Sequence, residues 1–236
     1  MPQESSNLSL SRFQILNGTH LKLIAMISML IDHAGDVFFP EMTWLRFIGR
    51  LAMPLFAFCV SEGYRFTRDK KKYLLRLGIF ALLSEIPFDL AFTGKPEWDH
   101  QNIMLTFFLA VLSLLLYDKI MAASKPESRL FRRILATIPV LVFSGIAVFL
   151  NADYTLFGVL TVFLFYVFFD KPHYLRVLAG GGFISLMRTK GYYVGTFLCL
   201  IPLLLYNGKK GRGLKWLFYL FYPGHLLVLY VLRRLL

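Results

Sequence analysis

Acidic residues are scarce in this chain: Asp and Glu number 14 against 26 Lys and Arg, for a formal net charge of +12 over 236 residues. Cysteine is scarcer. Cys59 and Cys199 are the only two, and both sit inside apolar runs. That argues against a disulfide framework and against a zinc site, since scattered histidines with two buried thiols do not make a ligand set. No polar stretch is long enough for a separate soluble domain. Residues 1–18 are polar and lack the apolar core of a secretory signal, so no cleaved leader is expected. The positive charge is not a nucleic-acid footprint either, because it is confined to short loops between apolar runs.

Apolar runs fill the remainder. Hydrophobic residues make up 57% of the chain and aromatics 17%, led by 24 Phe, and mean hydropathy is +0.59. Uncharged runs at 103–117, 134–150 and 155–169 approach membrane-spanning length. The expected fold is therefore all-α, a polytopic transmembrane helical bundle of about nine spans (eight to ten). Residues 1–18 form a polar N-terminal segment and 19–236 a single membrane domain. Spans are expected near 21–39, 44–63, 73–92, 102–120, 134–150, 155–170 and 215–233. Two short helices fit between 174 and 206, turning near residues 188–191, with Gly180-Gly181-Gly182 weakening the first. The densest basic run is Arg65, Arg68, Lys70, Lys71, Lys72 and Arg76. The positive-inside rule makes it cytoplasmic and places the N-terminus on the same side.

Ionisable groups inside such spans are costly, and in a membrane they read as functional by default. The first span carries two on one face. Lys22 and His33 are eleven positions apart, about three turns and ~16 Å along a helix. Asp32 adjoins His33. The second span brings Arg46 and Arg50, which share a face, and ends near Glu62. The third has Glu85 and Asp89 across a kinking proline, Pro87. Asn102 opens the fourth, and His225 follows Pro223 in the last. The plainer readings are that Arg46 and Arg50 snorkel or pair with Glu85 or Asp89 as glue between helices, that the prolines are simple kinks, and that the 65–76 run only orients the chain.

Several stretches, taken together and in order, resemble the TraX family. They are Leu21-Lys22 through Asp32-His33-Ala34-Gly35, Arg46 through Phe58, Glu62-Gly63, Ser84 through Phe92, Gln101-Asn102, Ala152-Asp153-Tyr154, Tyr206-Asn207-Gly208 and Phe221 through Leu226. The resemblance covers residues 21 to 226. It implies a membrane acyltransferase: the family is named for acetylation of a pilin amino terminus and is distantly similar to the acyltransferase-3 superfamily. That superfamily has a basic residue, ten residues and then histidine in its first helix, commonly Arg where this chain has Lys22. The substitution matters only if bidentate anion binding is needed. Arg65-Phe66-Thr67-Arg68 loosely resembles an Arg-x-x-Arg segment of the superfamily.

The residues suit that chemistry. Transfer from acetyl-CoA, the implied co-substrate, needs a base at the acceptor and cations for the CoA phosphates; no metal is needed. His33 is the expected general base. Asp32 or a carboxylate from another helix fixes its tautomer, as in hydrolase triads; alternatively, Asp32 is the partner of Arg46 or Arg50, since neighbours on a helix point ~100° apart. Lys22 completes the catalytic face. Arg65, Arg68, Lys72 and Arg76 are the expected donor contacts, and Arg46, Arg50, Glu62, Glu85, Asp89, Asn102 and His225 the supporting polar network. The expected setting is a bacterial inner membrane, with a peptide, glycan or lipid acceptor and no nucleic acid. A proton-coupled transporter using the same Asp, His and Glu groups is the competing class. A non-catalytic scaffold is a third, but it leaves the intramembrane charge unexplained.

Overall fold

The structure is a computed structural model that describes residues 13–123, 128–187, 190–213 and 215–236. Most of the polar N-terminal segment, part of the basic 119–133 loop and the expected turn at Arg188 and Thr189 lie outside the described residues. Helices run α1 Gly18–Phe38, α2 Thr43–Gly49, α3 Ala52–Phe66, α4 Lys70–Phe92, α5 Ile103–Met121, α6 Arg129–Phe149 and α7 Thr155–Val167. There follow α8 His173–Val177, a π turn Leu178–Gly182, α9 Phe183–Met187, a 3-10 stretch Gly191–Cys199, α10 Leu200–Leu204 and α11 Lys215–Leu235. Among the described residues there is no strand, only two isolated bridges.

Among the described residues, four helical stretches are long and apolar enough to cross a membrane: Thr43–Phe66, Ile103–Met121, Arg129–Phe149 and Lys215–Leu235. α1 and α4 have the length, at 21 and 23 residues, but carry the ionisable groups noted above. α7 has 13 residues and reaches ~20 Å, well short of a ~30 Å hydrocarbon core. The segments on either side of residue 188 are as short. Helix is thus present at every expected position, while spanning length and apolarity together hold for four stretches. Large apolar side chains such as Leu82, Phe149 and Leu141 point outward, the surface of a protein that lives in lipid.

Local sequence explains the breaks. Pro54 has no N–H for the carbonyl of Arg50, so the helix begun at Thr43 breaks at Arg50-Leu51 before resuming. Asp69, Asn102 and Ser128 cap α4, α5 and α6 by accepting from backbone N–H groups of the first turn. Thr43–Phe66 is the most buried of the four spanning stretches, and its longer part, α3, packs on α1 and α7. α4 packs on α5 and α11, α1 also touches α2 and α11, and the 3-10 stretch lies on α2.

The last contact is backbone on backbone. A Cβ at Gly195 would run into the Phe47 carbonyl oxygen, whereas Gly145 faces open space. Gly195→Ala is therefore expected to cost at least about 1–3 kcal/mol as overpacking, and Gly145→Ala to be neutral or stabilising by roughly 0.5–1 kcal/mol. Thermal unfolding of the two variants in detergent checks this. Equal midpoints would mean that the 3-10 stretch does not rest on α2.

Candidate functional site

Asp32, in the last third of α1, is buried and carries two arginines. Arg50 Nε donates to its Oδ1 at 3.2 Å and Nη2 pairs with Oδ2. Arg46 Nε lies 3.1 Å from Oδ1, and its Nη1 pairs with Asp36 one turn on. The side chains of Asp32 and Arg50 are only 9% and 8% exposed. The break at Arg50-Leu51 turns Arg50 inward, and Gly49 makes the approach possible, because a Cβ there would overlap the Asp32 side chain. Arg50 also reaches the Tyr154 hydroxyl at 3.4 Å. The Tyr192 ring lies under both guanidinium groups and the Tyr193 ring under Arg50, a contact that suits a planar, weakly hydrated cation.

His33, beside Asp32, faces α11. Its Nδ1 is 2.8 Å from Nε2 of His225, and Nδ1 of His225 is 2.8 Å from the Phe221 carbonyl oxygen. The Phe92 ring meets His33 perpendicular to it, at a 5.1 Å centroid separation. Arg233 Nη1 donates to the Ala91 and Phe92 carbonyls at 3.2 and 3.4 Å, which satisfies the open end of α4 and holds that ring in place.

A cavity of about 640 Å³ leads toward this pair. At one end it is lined by Lys22, Arg76, Lys210, Arg212 and Lys215, and its walls include Phe58, Cys59, Glu62, Tyr73, Leu77, Ile103, Met104 and Phe107. Met29 and Tyr222 also line it. They precede His33 and His225 on their own helices by four and three residues, so the cavity ends one helical turn short of both imidazoles.

Its basic end is assembled from distant segments. Leu16 N–H donates to Leu205 O at 2.9 Å, Asn207 N–H to Leu16 O at 2.8 Å and Gly18 N–H to Lys209 O at 2.8 Å. Thr19 Oγ1 donates to Arg212 O at 2.8 Å. This strap draws the 207–213 loop over the start of α1, beside Lys22.

Of the expected donor contacts, Arg76 lines the cavity, while Arg65, Arg68 and Lys72 do not; Lys22, expected on the catalytic face with His33, lines its basic end. Arg65 sits 3.3 Å from Asp170 and Lys72 3.4 Å from Asp69. Arg46 and Arg50 pair with Asp32 and Asp36, not with Glu85 or Asp89. Glu85 accepts from Asn102, and Asp89 accepts from the Glu97 N–H at 2.9 Å. Glu62 lines the cavity, pairs with Arg176 at 2.7 Å and accepts from the Tyr206 hydroxyl at 2.9 Å. Arg176 reads as a loop cation in the sequence, yet it is buried between the Phe58 and Phe169 rings. Tyr192 and Tyr193 carry no sequence signal beyond aromatic content, and only their placement over Arg50 reveals them; Tyr154 stands in the family-like Ala152-Asp153-Tyr154 stretch, but its contact with Arg50 is seen only in the fold. Among the described residues, no group of three or more His, Cys, Asp or Glu side chains is placed to hold a metal ion.

Comparison with known proteins gives two kinds of match. The family described as "TraX protein" matches residues 17–233. "Probable fimbrial assembly protein FimC, serogroup H1" of Dichelobacter nodosus is 30% identical, over 95% of this chain and 96% of its own. "Uncharacterized protein RP591" of Rickettsia prowazekii (strain Madrid E) is 38% identical over 38% of this chain and 33% of its own. No solved structure matches.

Removing one partner of a buried ion cluster leaves charge uncompensated and typically costs 3–5 kcal/mol. Asp32→Asn is therefore expected to destabilise the protein by about that much, because the one carboxylate holds both Arg46 and Arg50. The unfolding midpoint of purified protein reads the effect. An unchanged midpoint would mean that water, not Asp32, neutralises the arginines.

Proposed function

We infer that this chain, which belongs to the TraX family, is an integral membrane acetyltransferase that moves an acetyl group from acetyl-CoA to an amine or hydroxyl of a peptide, pilin, glycan or lipid acceptor. The observation that carries this reading is the cavity, with cations at one end and, just past the other, the half-buried His33 imidazole paired with the buried His225. The positive-inside rule assigns the basic end to the cytoplasmic face of a bacterial inner membrane, where CoA thioesters are made. A relative with "fimbrial assembly" in its name favours an acceptor of the pilin kind.

In this mechanism Lys22, Arg76, Lys210, Arg212 and Lys215 bind the CoA phosphates, and the apolar walls take the pantetheine arm. The sulfur end then lies near Met29 and Tyr222. The acceptor nitrogen or oxygen attacks the thioester carbonyl while His33 takes its proton. The carbon–sulfur bond breaks, and the His33 imidazolium returns the proton to the departing thiolate. Asp32 holds α1 against α2 and so fixes the position of the base. The dry walls limit wasteful hydrolysis of the thioester.

Two measurements test the reading. His33→Ala is expected to lower turnover by ~10² or more in protein that inserts and folds normally, and near-normal turnover would overturn the role of His33. Arg76→Ala and Arg212→Ala are each expected to raise the KM for acetyl-CoA roughly tenfold, with a smaller effect on kcat, because phosphate contacts are remote from bond-making. Added salt should raise KM in the parent protein as well. If Arg65→Ala raises donor KM and Arg76→Ala and Arg212→Ala do not, the donor lies outside this cavity.

A further inference from the structure

We propose that His225 is a positioning residue that fixes the tautomer of His33, placing a proton on Nδ1 and leaving Nε2 as the bare, proton-accepting nitrogen. This rests on the reading of His33 as the base. The argument starts from the Phe221 carbonyl, which can only accept a hydrogen bond. The His225 Nδ1 at 2.8 Å from it must therefore carry a hydrogen. In neutral His225, Nε2 is then the acceptor, so His33 Nδ1, at 2.8 Å from that atom, must be the donor. One proton remains for the His33 ring in its neutral form, and Nδ1 holds it. The assignment follows from the hydrogen-bond network, as such assignments do.

The ring geometry supports a directed bond over simple contact. The two imidazoles lie within 15° of parallel with centroids 5.0 Å apart. With nitrogens 2.8 Å apart, that separation is the bond length plus about two ring radii, so the rings meet edge to edge in a common plane. Face-to-face stacking would hold the nitrogens farther apart than a hydrogen bond. Packing locks both partners. His225 lies flat against Phe221 at 4.6 Å and 10°, and Phe92 closes on His33 nearly perpendicular, at 89°. Asp32, the carboxylate beside His33 in sequence, is taken up by Arg46 and Arg50. The orienting acceptor that a triad draws from a carboxylate comes here from a neutral imidazole.

The test combines 15N-histidine spectra of purified protein with CoA release from acetyl-CoA in vesicles of cells expressing each variant. His33→Ala identifies the His33 signals. In the parent protein the neutral His33 ring is expected to show a protonated Nδ1 and a bare Nε2. His225→Leu, which has no acceptor, should lose that preference and lower kcat by about 10²–10⁴, the range between a misplaced base and a wrong tautomer, with donor KM within about twofold. His225→Gln offers a side-chain oxygen to the same N–H and should recover part of kcat. A parent His33 protonated on Nε2, or His225→Leu with unchanged kcat, overturns the proposal. Normal turnover in His33→Ala would instead overturn the base itself, so the two failures are distinguishable. Should His225→Leu fail to fold, the tautomer of the parent protein decides alone.

Discussion

Asp32 holds Arg46 and Arg50 in a place where neither water nor lipid could. Several kcal/mol per ion are lost on taking such charges from water, and only close, hydrogen-bonded pairing returns them. The helices bearing these groups therefore have one arrangement, not several. α1 is pinned to α2, the break at Pro54 is used to turn Arg50 inward, and the 3-10 stretch is drawn in until Tyr192 and Tyr193 cover the guanidinium groups. Once the register of α1 is fixed this way, Lys22, Met29 and His33 have fixed depths and bearings. The cavity and the histidine pair inherit their geometry from that ion cluster.

The opposite end depends on a weaker kind of order. The strap between residues 16–19 and 205–212 is made of neutral hydrogen bonds, each worth ~0.5–1.5 kcal/mol net. Together they bring Lys210 and Arg212 beside Lys22, at an opening that Arg76 and Lys215 also line. An end built from several small bonds can shift to admit a large anionic ligand, whereas the end built on buried ion pairs cannot. That division suits a donor that arrives at the basic end and a reaction that needs a fixed base at the other.

Backbone irregularity gathers around the rigid end. Asn151, Tyr154 and Thr155 all have positive φ, an expensive state for Tyr and Thr. The loop containing them is tied to the neighbouring one by Gln101 N–H to Asn151 O and Asp153 N–H to Gln101 O. Tyr154 thereby presents its hydroxyl to Arg50. The π turn at Leu178–Gly182 and the 3-10 stretch at Gly191–Cys199 lie in the short helices that close the bundle beside it. Strained backbone of this kind persists only where its surroundings over-determine it.

Hydropathy alone determined the helical class and the place of the long helices, because apolar runs and the charged loops between them are local properties. It also singled out Lys22, Asp32, His33, Arg46, Arg50 and His225, since intramembrane charge is conspicuous in any order of packing. Partnership was not legible. Glu85 and Asp89 looked as suitable for the arginines as Asp32 did, and only the crossing of α1 with α2 chose between them. Arg65, Arg68 and Lys72 looked like the natural anion contacts because they are adjacent in sequence. Tertiary structure leaves them off the cavity lining and places Arg76 there with Lys22, Lys210, Arg212 and Lys215. The pairing of His33 with His225, from opposite ends of the chain, was likewise decided by packing. A one-dimensional pattern records how expensive a group is to bury, but which group offsets that expense depends on distances that exist only after folding.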